Sequence, residues 1–366
     1  MPPLRLFIAA TRKDDGKTTT SVGLLLHLMR RFSRVGFMKP VGQRYVELED
    51  GTKVDKDVWL IRESLGVRDT PAHMSPVTVP SRFTRDYIDK RDPAPLEASI
   101  LAAFSALGSD KEFVLIEGTG HAGVGSVFDL SNARVAQLLD SRVILVSGGG
   151  IGKPVDEIVL NQALFRQHGI EIAGVILNKV MPSKMDEVAR YTRQALAWHD
   201  IPVLGVVPYV PLLSQPTLRE VCREVEGMFL SNEDLSGRLF AQIELASHYS
   251  LTLAQRIQPK TLLVATGEQE EMLIACANEE TGVETMRAHV AGVVLTDGVE
   301  PKHHVLKIMR NHNVPVILTQ MPAYQATSAI AQMVAKIQPD NPEKLRTIEA
   351  LCAEHVRLDQ VFAAAQ

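Results

Sequence analysis

The run Phe7-Ile8-Ala9-Ala10-Thr11-Arg12-Lys13-Asp14-Asp15-Gly16-Lys17-Thr18-Thr19-Thr20 constrains the fold more than any other part of the chain. An apolar segment gives way to a polar loop, the loop ends in Gly-Lys-Thr, and a helical pattern of Val22, Leu24, Leu25, Leu26, Leu28 and Met29 follows at once. A strand, a tight loop and a helix in that order present backbone N–H groups and the positive end of a helix dipole to an anion. That is the layout of a phosphate-binding loop, in which Lys17 reaches the terminal phosphates of a nucleotide and the Thr18 hydroxyl coordinates Mg²⁺. The regular pattern has Gly where this chain has Thr11. A loop one residue longer, from Ala10 to Gly16, restores the usual start with Ala in place of Gly. Thr11, Asp15, Gly16, Lys17, Thr18 and Thr19 are the expected nucleotide contacts.

The segments that follow place polar residues at the ends of apolar runs. Val35 to Val41 reads as a short strand ended by Lys39-Pro40, which sets Lys39 at the carboxyl end of the strand. Ligands of open α/β sheets bind there. Asp57 stands directly before the apolar run Val58 to Leu65, where a carboxylate serves either a metal or the helix N-terminus, and position alone leaves both open. The stretch Thr70 to Asp92 reads as a long surface connection. Phe113-Val114-Leu115-Ile116-Glu117 is a buried strand ending in a carboxylate, which is costly to bury without a cation. Glu117 therefore fits a second metal-site carboxylate, whereas His121 in the following turn reads as a loop residue. Ile172 to Val180 is a strand carrying Asn178-Lys179 at its end, and an Asn side chain offers both a donor and an acceptor to a purine edge.

Strands too apolar to be half exposed alternate with helices up to about residue 215, which predicts a parallel sheet covered on both faces. Residues 216–258 read as a helical connector. Residues 259–366 read as a second, smaller α/β domain. Its strand-end loops (Thr266-Gly267-Glu268, Thr296-Asp297-Gly298, Thr319-Gln320) are expected to gather at one sheet edge and to suit a small metabolite. The chain of 366 residues has room for such a division. A net charge of −4 gives no basic field for nucleic acid or an anionic membrane. The amino terminus has no signal-like apolar region, and no apolar run reaches the length of a membrane span. Three widely spaced cysteines, Cys222, Cys276 and Cys352, fit a reducing compartment. A cytoplasmic protein is expected.

These motifs, taken together, resemble a known family. Ala10-Thr11 to Gly16-Lys17-Thr18, Lys39-Pro40-Val41, Glu117-Gly118-Thr119-Gly120, Gly174 to Lys179 and Pro202 to Pro208 are similar to dethiobiotin synthetase in order and spacing. The region after about residue 217 resembles the DRTGG domain. The two together are similar to the N-terminal, regulatory half of long phosphotransacetylases, without the acetyltransferase. The resemblance implies an α/β fold in which a parallel-sheet P-loop NTPase domain precedes a smaller α/β DRTGG-like domain. It also implies ATP and Mg²⁺ as cofactors and a homo-oligomer. By the same resemblance Thr18, Asp57 and Glu117 would hold the metal, Asn178 would read the adenine, and Lys17 and Lys39 would be the catalytic cations. Asp57 is preferred to Asp55 on this ground. The chain departs from dethiobiotin synthetase where substrate is held: Gly42-Gln43-Arg44-Tyr45 and His121-Ala122 replace small hydroxyl, Gly and aromatic residues. The loop residues Arg12-Lys13-Asp14-Asp15 are more charged, and the Asp-Arg-Thr-Gly-Gly signature is absent. The nucleotide half is retained and the substrate half rebuilt. A metabolic regulatory or sensory ATPase follows as the expected function, with an ATP-dependent ligase acting on a carboxylate or carbamate as the alternative.

Overall fold

The computed structural model describes residues 2–48, 50–246, 257–277, 289–333, 337–339 and 341–365. The chain divides into two units, residues 1–210 with 337–366, and residues 211–336. The first unit holds strands β1 (Leu4–Ala10), β2 (Val35–Met38), β3 (Val41–Gly42), β4 (Tyr45–Glu47), β5 (Lys53–Asp55), β6 (Val77–Thr78), β7 (Phe113–Glu117), β8 (Arg142–Gly148), β9 (Ile172–Val180) and β10 (Val203–Pro208). Six of these form one sheet in the order β10-β9-β8-β1-β7-β2, with every pairing parallel. All five residues of β7 and the last five of β1 are buried, as continuous apolar strands covered on both faces must be. The central strands β1 and β7 set Ile8 opposite Glu117, so the loop after Ala10 and the carboxylate of Glu117 emerge at the same edge. Helix α1 (Lys17–Arg31) leaves that loop directly. Helix α2 (Lys56–Leu65) follows β5.

The second unit holds β11 (Met228–Ser231), β12 (Gln242–Leu245), β13 (Thr261–Thr266), β14 (Val290–Thr296) and β15 (Val316–Leu318). Their order is β11-β15-β14-β13-β12, parallel except for β11. Two apolar clusters, one including Leu263, Leu295 and Met309 and one including Leu218, Val264 and Ile317, hold this unit together.

Three expectations are corrected. Residues 216–258 are not a helical connector. A helix (Leu218–Glu224), started by a capping box between Thr217 and Glu220, is followed by β11 and β12, the two edge strands of the second sheet. Edge strands are short and carry polar residues such as Gln242 and Glu244, so they lack the apolar run that marks a central strand. Residues 247–256 of that segment lie outside the described residues. The second unit does not extend to residue 366 either, because 337–366 belongs to the first. There the helix Pro342–His355 packs on α1, where the bare Cα of Gly23 admits it: a Cβ on Gly23 would lie 3.0 Å from Cys352 Cβ. Beyond it, Arg357 donates its backbone N–H to the Leu204 carbonyl at 2.8 Å and covers the outer edge of β10. Finally, Thr70 to Asp92 is not all surface connection. It forms helices Pro71–Met74 and Phe83–Lys90, which bury Met74 and Tyr87.

Candidate functional site

The loop between β1 and α1 is shaped by its own side chains. Asp15 turns its carboxylate back to accept from Thr11 Oγ1 and from the Arg12 backbone N–H, both at 2.8 Å. Thr11 is buried and its hydroxyl also meets Ser147 Oγ at 3.0 Å. Asp15 thus staples the loop closed. Burial pushes its carboxyl up, opposed by those two hydrogen bonds. Arg12 is paired with Glu157 on the helix Gly152–Gln167. Gly16 precedes α1 at φ 99°, in the left-handed region, and a Cβ there would sit 2.0 Å from Asn178 Nδ2. Thr19 is half-buried in the first turn of α1.

Strand β9 supports the loop from the side. Asn178, the expected reader of adenine, donates Nδ2–H to the Asp15 carbonyl at 2.9 Å. Lys179, at φ 58°, donates Nζ–H to the Asp14 carbonyl at 2.6 Å. The sequence assigns no role to Ser147 or to Lys179. Both lie at strand ends facing the loop, and that position was the available signal.

A charge cluster lies beside the loop. Lys39 Nζ is paired with Asp57, with Glu117 Oε1 at 3.2 Å and with Asp55 Oδ1 at 3.5 Å. The side chains of Lys39, Asp55, Asp57 and Glu117 are 6%, 4%, 21% and 0% exposed, so the cluster is nearly dry. Thr18 Oγ1 donates to the same Glu117 Oε1 at 3.0 Å, which joins the cluster to the loop. Burial by itself pulls the Lys39 ammonium down, but Asp57, Glu117 and Asp55 outweigh it and hold its pKa well above the ordinary value. Glu117, Asp57 and Asp15 also act on Lys17, but they do not outweigh its burial. Burial lowers its pKa, and the positive charge of Lys39 adds to that against the pull of Glu117. Burial raises the carboxyls of Glu117 and Asp55, with Lys39 as the main opposing influence on each.

The structure removes one of the two roles open to Asp57, that of helix cap. The N-cap of α2 is Asp55, which accepts the Asp57 backbone N–H at 2.8 Å, while the Asp57 carboxylate is given to Lys39. Asp55 is thus both a cap and a third member of the cluster, a double role that spacing did not reveal. The residues fit a magnesium ion arriving with phosphates. The donors are two carboxylates and a hydroxyl, and Glu117 Oε2 is buried with no hydrogen-bond partner among the described residues. Among the described residues no group of three or more His, Cys, Asp or Glu is placed to hold a metal unaided. Magnesium commonly takes one or two protein carboxylates and fills its remaining positions with phosphate oxygens and water.

His121 is exposed and its Nδ1 accepts the Gly123 N–H, as a loop residue would. The three cysteines are free, and burial pushes the Cys276 and Cys352 thiols up to about 12, away from nucleophile chemistry. A cavity of about 500 Å³ lies apart from the loop, near Arg91, Glu97, Asp129 and Arg134. Both of its guanidiniums are already paired, Arg91 with Asp129 and Arg134 with Glu97. In the second unit the three strand-end turns do come together. Gly298 N–H donates to the Thr319 carbonyl at 2.9 Å, and a Cβ on Gly267 would lie 2.2 Å from the Val299 carbonyl oxygen.

Comparison with known proteins agrees with this division. A family model described as an AAA domain matches residues 4–217, and a DRTGG domain model matches residues 220–333. The chain is 23% identical over 373 residues to the phosphate acetyltransferase of Synechocystis, covering 96% of this chain and 50% of that protein. It is 25% identical over 367 residues to the phosphate acetyltransferase of Pseudomonas putida, with the same coverages of 96% and 50%. It thus spans about half the length of the curated relatives it matches. A solved structure, the septum site-determining protein MinD from Pyrococcus horikoshii complexed with Mg-ADP, aligns with 57% of this chain and 82% of its own at 18% identity and a TM-score of 0.35. Over residues 4–217 the chain belongs to the AAA domain family, with a DRTGG domain behind it over residues 220–333.

Proposed function

We propose that the protein binds Mg-ATP at the Lys17–Thr18 loop and works as a metabolic regulatory or sensory ATPase. A small metabolite bound at the strand-end turns of the second unit would bias the same conformational equilibrium. The observation that carries this reading is the convergence of Lys17, Thr18, Lys39, Asp57 and Glu117 at the carboxyl edge of one parallel sheet. Gly16 to Thr19 would cradle the phosphates, with Lys17 as the mobile cation. Thr18, Asp57 and Glu117 would hold Mg²⁺, which when bound neutralises charge on the phosphate oxygens. Asn178 and Lys179 would hold the loop in register and border the base, with Thr11 and Asp15 keeping the loop closed. The relationship to phosphate acetyltransferases supports a regulatory setting. A cytoplasmic location and a homo-oligomeric assembly go with this reading. Among the described residues no helix is long and apolar enough to cross a membrane.

The burial of Lys39 beside the loop favours one second reading, a ligase-like enzyme in which Lys39 orients a carboxylate or carbamate for phosphorylation. Titration calorimetry with Mg-ATP tests the part common to both. Lys17→Ala is expected to weaken binding about 10- to 100-fold, the loss of one charged hydrogen bond to phosphate. Equal affinity in both proteins would remove the phosphate-loop assignment. ADP release across a panel of carboxylates and amines separates the two readings: turnover confined to one compound means a ligase, a slow rate indifferent to all of them means a sensor.

A further inference from the structure

Lys39 is more tightly held than a substrate-binding lysine needs to be. Its ammonium lies among Asp55, Asp57 and Glu117, and two of these are the carboxylates assigned above to the metal. Its backbone is fixed as well, because its N–H donates to the Met74 carbonyl at 2.7 Å and Pro40 follows. The third carboxylate cannot serve as a spare ligand. Asp55 is engaged in capping α2, and its Cβ crowds the Cα of Gly42, where an added Cβ would lie 2.7 Å away. A dication entering between Asp57 and Glu117 therefore meets a resident monocation in a nearly dry site, where like charges repel strongly.

We propose that Lys39 is a built-in counter-ion that closes the Asp57–Glu117 pair to free divalent metal, so that metal and nucleotide enter only together. Nucleotide phosphates resolve the conflict. They give the ammonium a new anionic partner, and the four-carbon stem of Lys39 lets it swing to them while its backbone stays in place. They also complete a metal shell for which the protein supplies only two carboxylates and the Thr18 hydroxyl. Lys17 and Lys39 already sense each other's charge, so phosphates drawn to Lys17 arrive within the field of Lys39. The protein would then be blind to free Mg²⁺ or Mn²⁺ and would respond to the metal–nucleotide complex. This presupposes the Mg-ATP site proposed above.

The test uses the full chain and Mn²⁺ as the probe, with bound metal counted by electron paramagnetic resonance, without nucleotide and with saturating ADP. Wild type is expected to bind Mn²⁺ alone at least about tenfold more weakly than in the presence of ADP. Lys39→Met is expected to take up one Mn²⁺ without nucleotide, about tenfold or more tighter than wild type, and Lys39→Met with Asp57→Asn to lose it again. Lys39→Gln replaces Lys39→Met if the latter fails to fold, as judged by circular dichroism. The proposal is overturned if wild type binds Mn²⁺ alone as tightly as with ADP, or if neutralising Lys39 leaves nucleotide-free binding unchanged. Those results leave the Mg-ATP reading standing. If wild type binds neither ADP nor Mn²⁺ when both are present, that reading fails and this one goes with it.

Discussion

Lys17, half-buried, and Lys39, buried, are two ammoniums in one site with opposite electrostatic fates. Three carboxylates hold Lys39 protonated through the physiological range, and its favourable contribution is lost only on the alkaline side of the ordinary lysine value of 10.5. Lys17 is pushed below 10.5 by burial. Its native state therefore binds fewer protons than the unfolded chain between the lowered value and 10.5, and folding stability gains from Lys17 as pH rises through that window. Nucleotide binding has the reverse sign, because phosphates need the charged form. Mg-ATP affinity is expected to fall as pH rises through the lowered Lys17 value, and Lys17→Arg to shift the fall to higher pH. Calorimetry at a series of alkaline pH values, corrected for the ATP and metal equilibria, reads this directly. A pH-independent affinity up to 10.5 would contradict the lowered pKa. Gly16-Lys17-Thr18 and Glu117 were legible in the sequence because each combines an unusual residue with the end of an apolar run. Asp55 and Ser147 were not legible, because a cap and a hydroxyl contact are set by tertiary geometry that spacing does not encode.

The elements follow the same division. Central strands announce themselves through continuous Val, Ile and Leu, and the six-stranded parallel sheet could be anticipated from them. The edge strands β11 and β12 are short and carry polar residues, so their sequence reads as helical connection. The partner of the helix Pro342–His355 is not legible in sequence, since nothing in a helical pattern says which surface it covers. The telling residue is on the other side, in Gly23 of α1. A larger side chain there meets Cys352 and Ile348 within 3.3 Å. Gly23→Leu is expected to destabilise the first unit by about 1–3 kcal/mol, the usual cost of overpacking a filled contact. Urea unfolding of the full chain measures it. A compensating Cys352→Ala is expected to recover part of the loss, and an unchanged midpoint in Gly23→Leu would mean that this helix does not pack there.

At the scale of the molecule, the first unit is assembled from two separated stretches of chain, 1–210 and 337–366. The second stretch buries Ile348, Cys352, Val356, Val361 and Phe362. Full burial of such side chains contributes about 1.5–3 kcal/mol each before entropy is counted. Removal of residues 337–366 is therefore expected to lower the melting temperature of the first unit by about 10 °C or more and to weaken Mg-ATP binding in parallel. Calorimetric melting of the truncated and full chains checks this, and equal transitions would show the stretch to be dispensable. The divided first unit also imposes an order on synthesis. A ribosome delivers β1, the phosphate loop and α1 early, but the helix that covers α1 emerges only after the whole second unit has been made. The nascent chain must therefore carry an unfinished first unit while the DRTGG domain is free to fold. The interval between the two is a period in which the exposed flank of α1 is open to chaperones, to proteases, or to the matching helix of a neighbouring nascent chain.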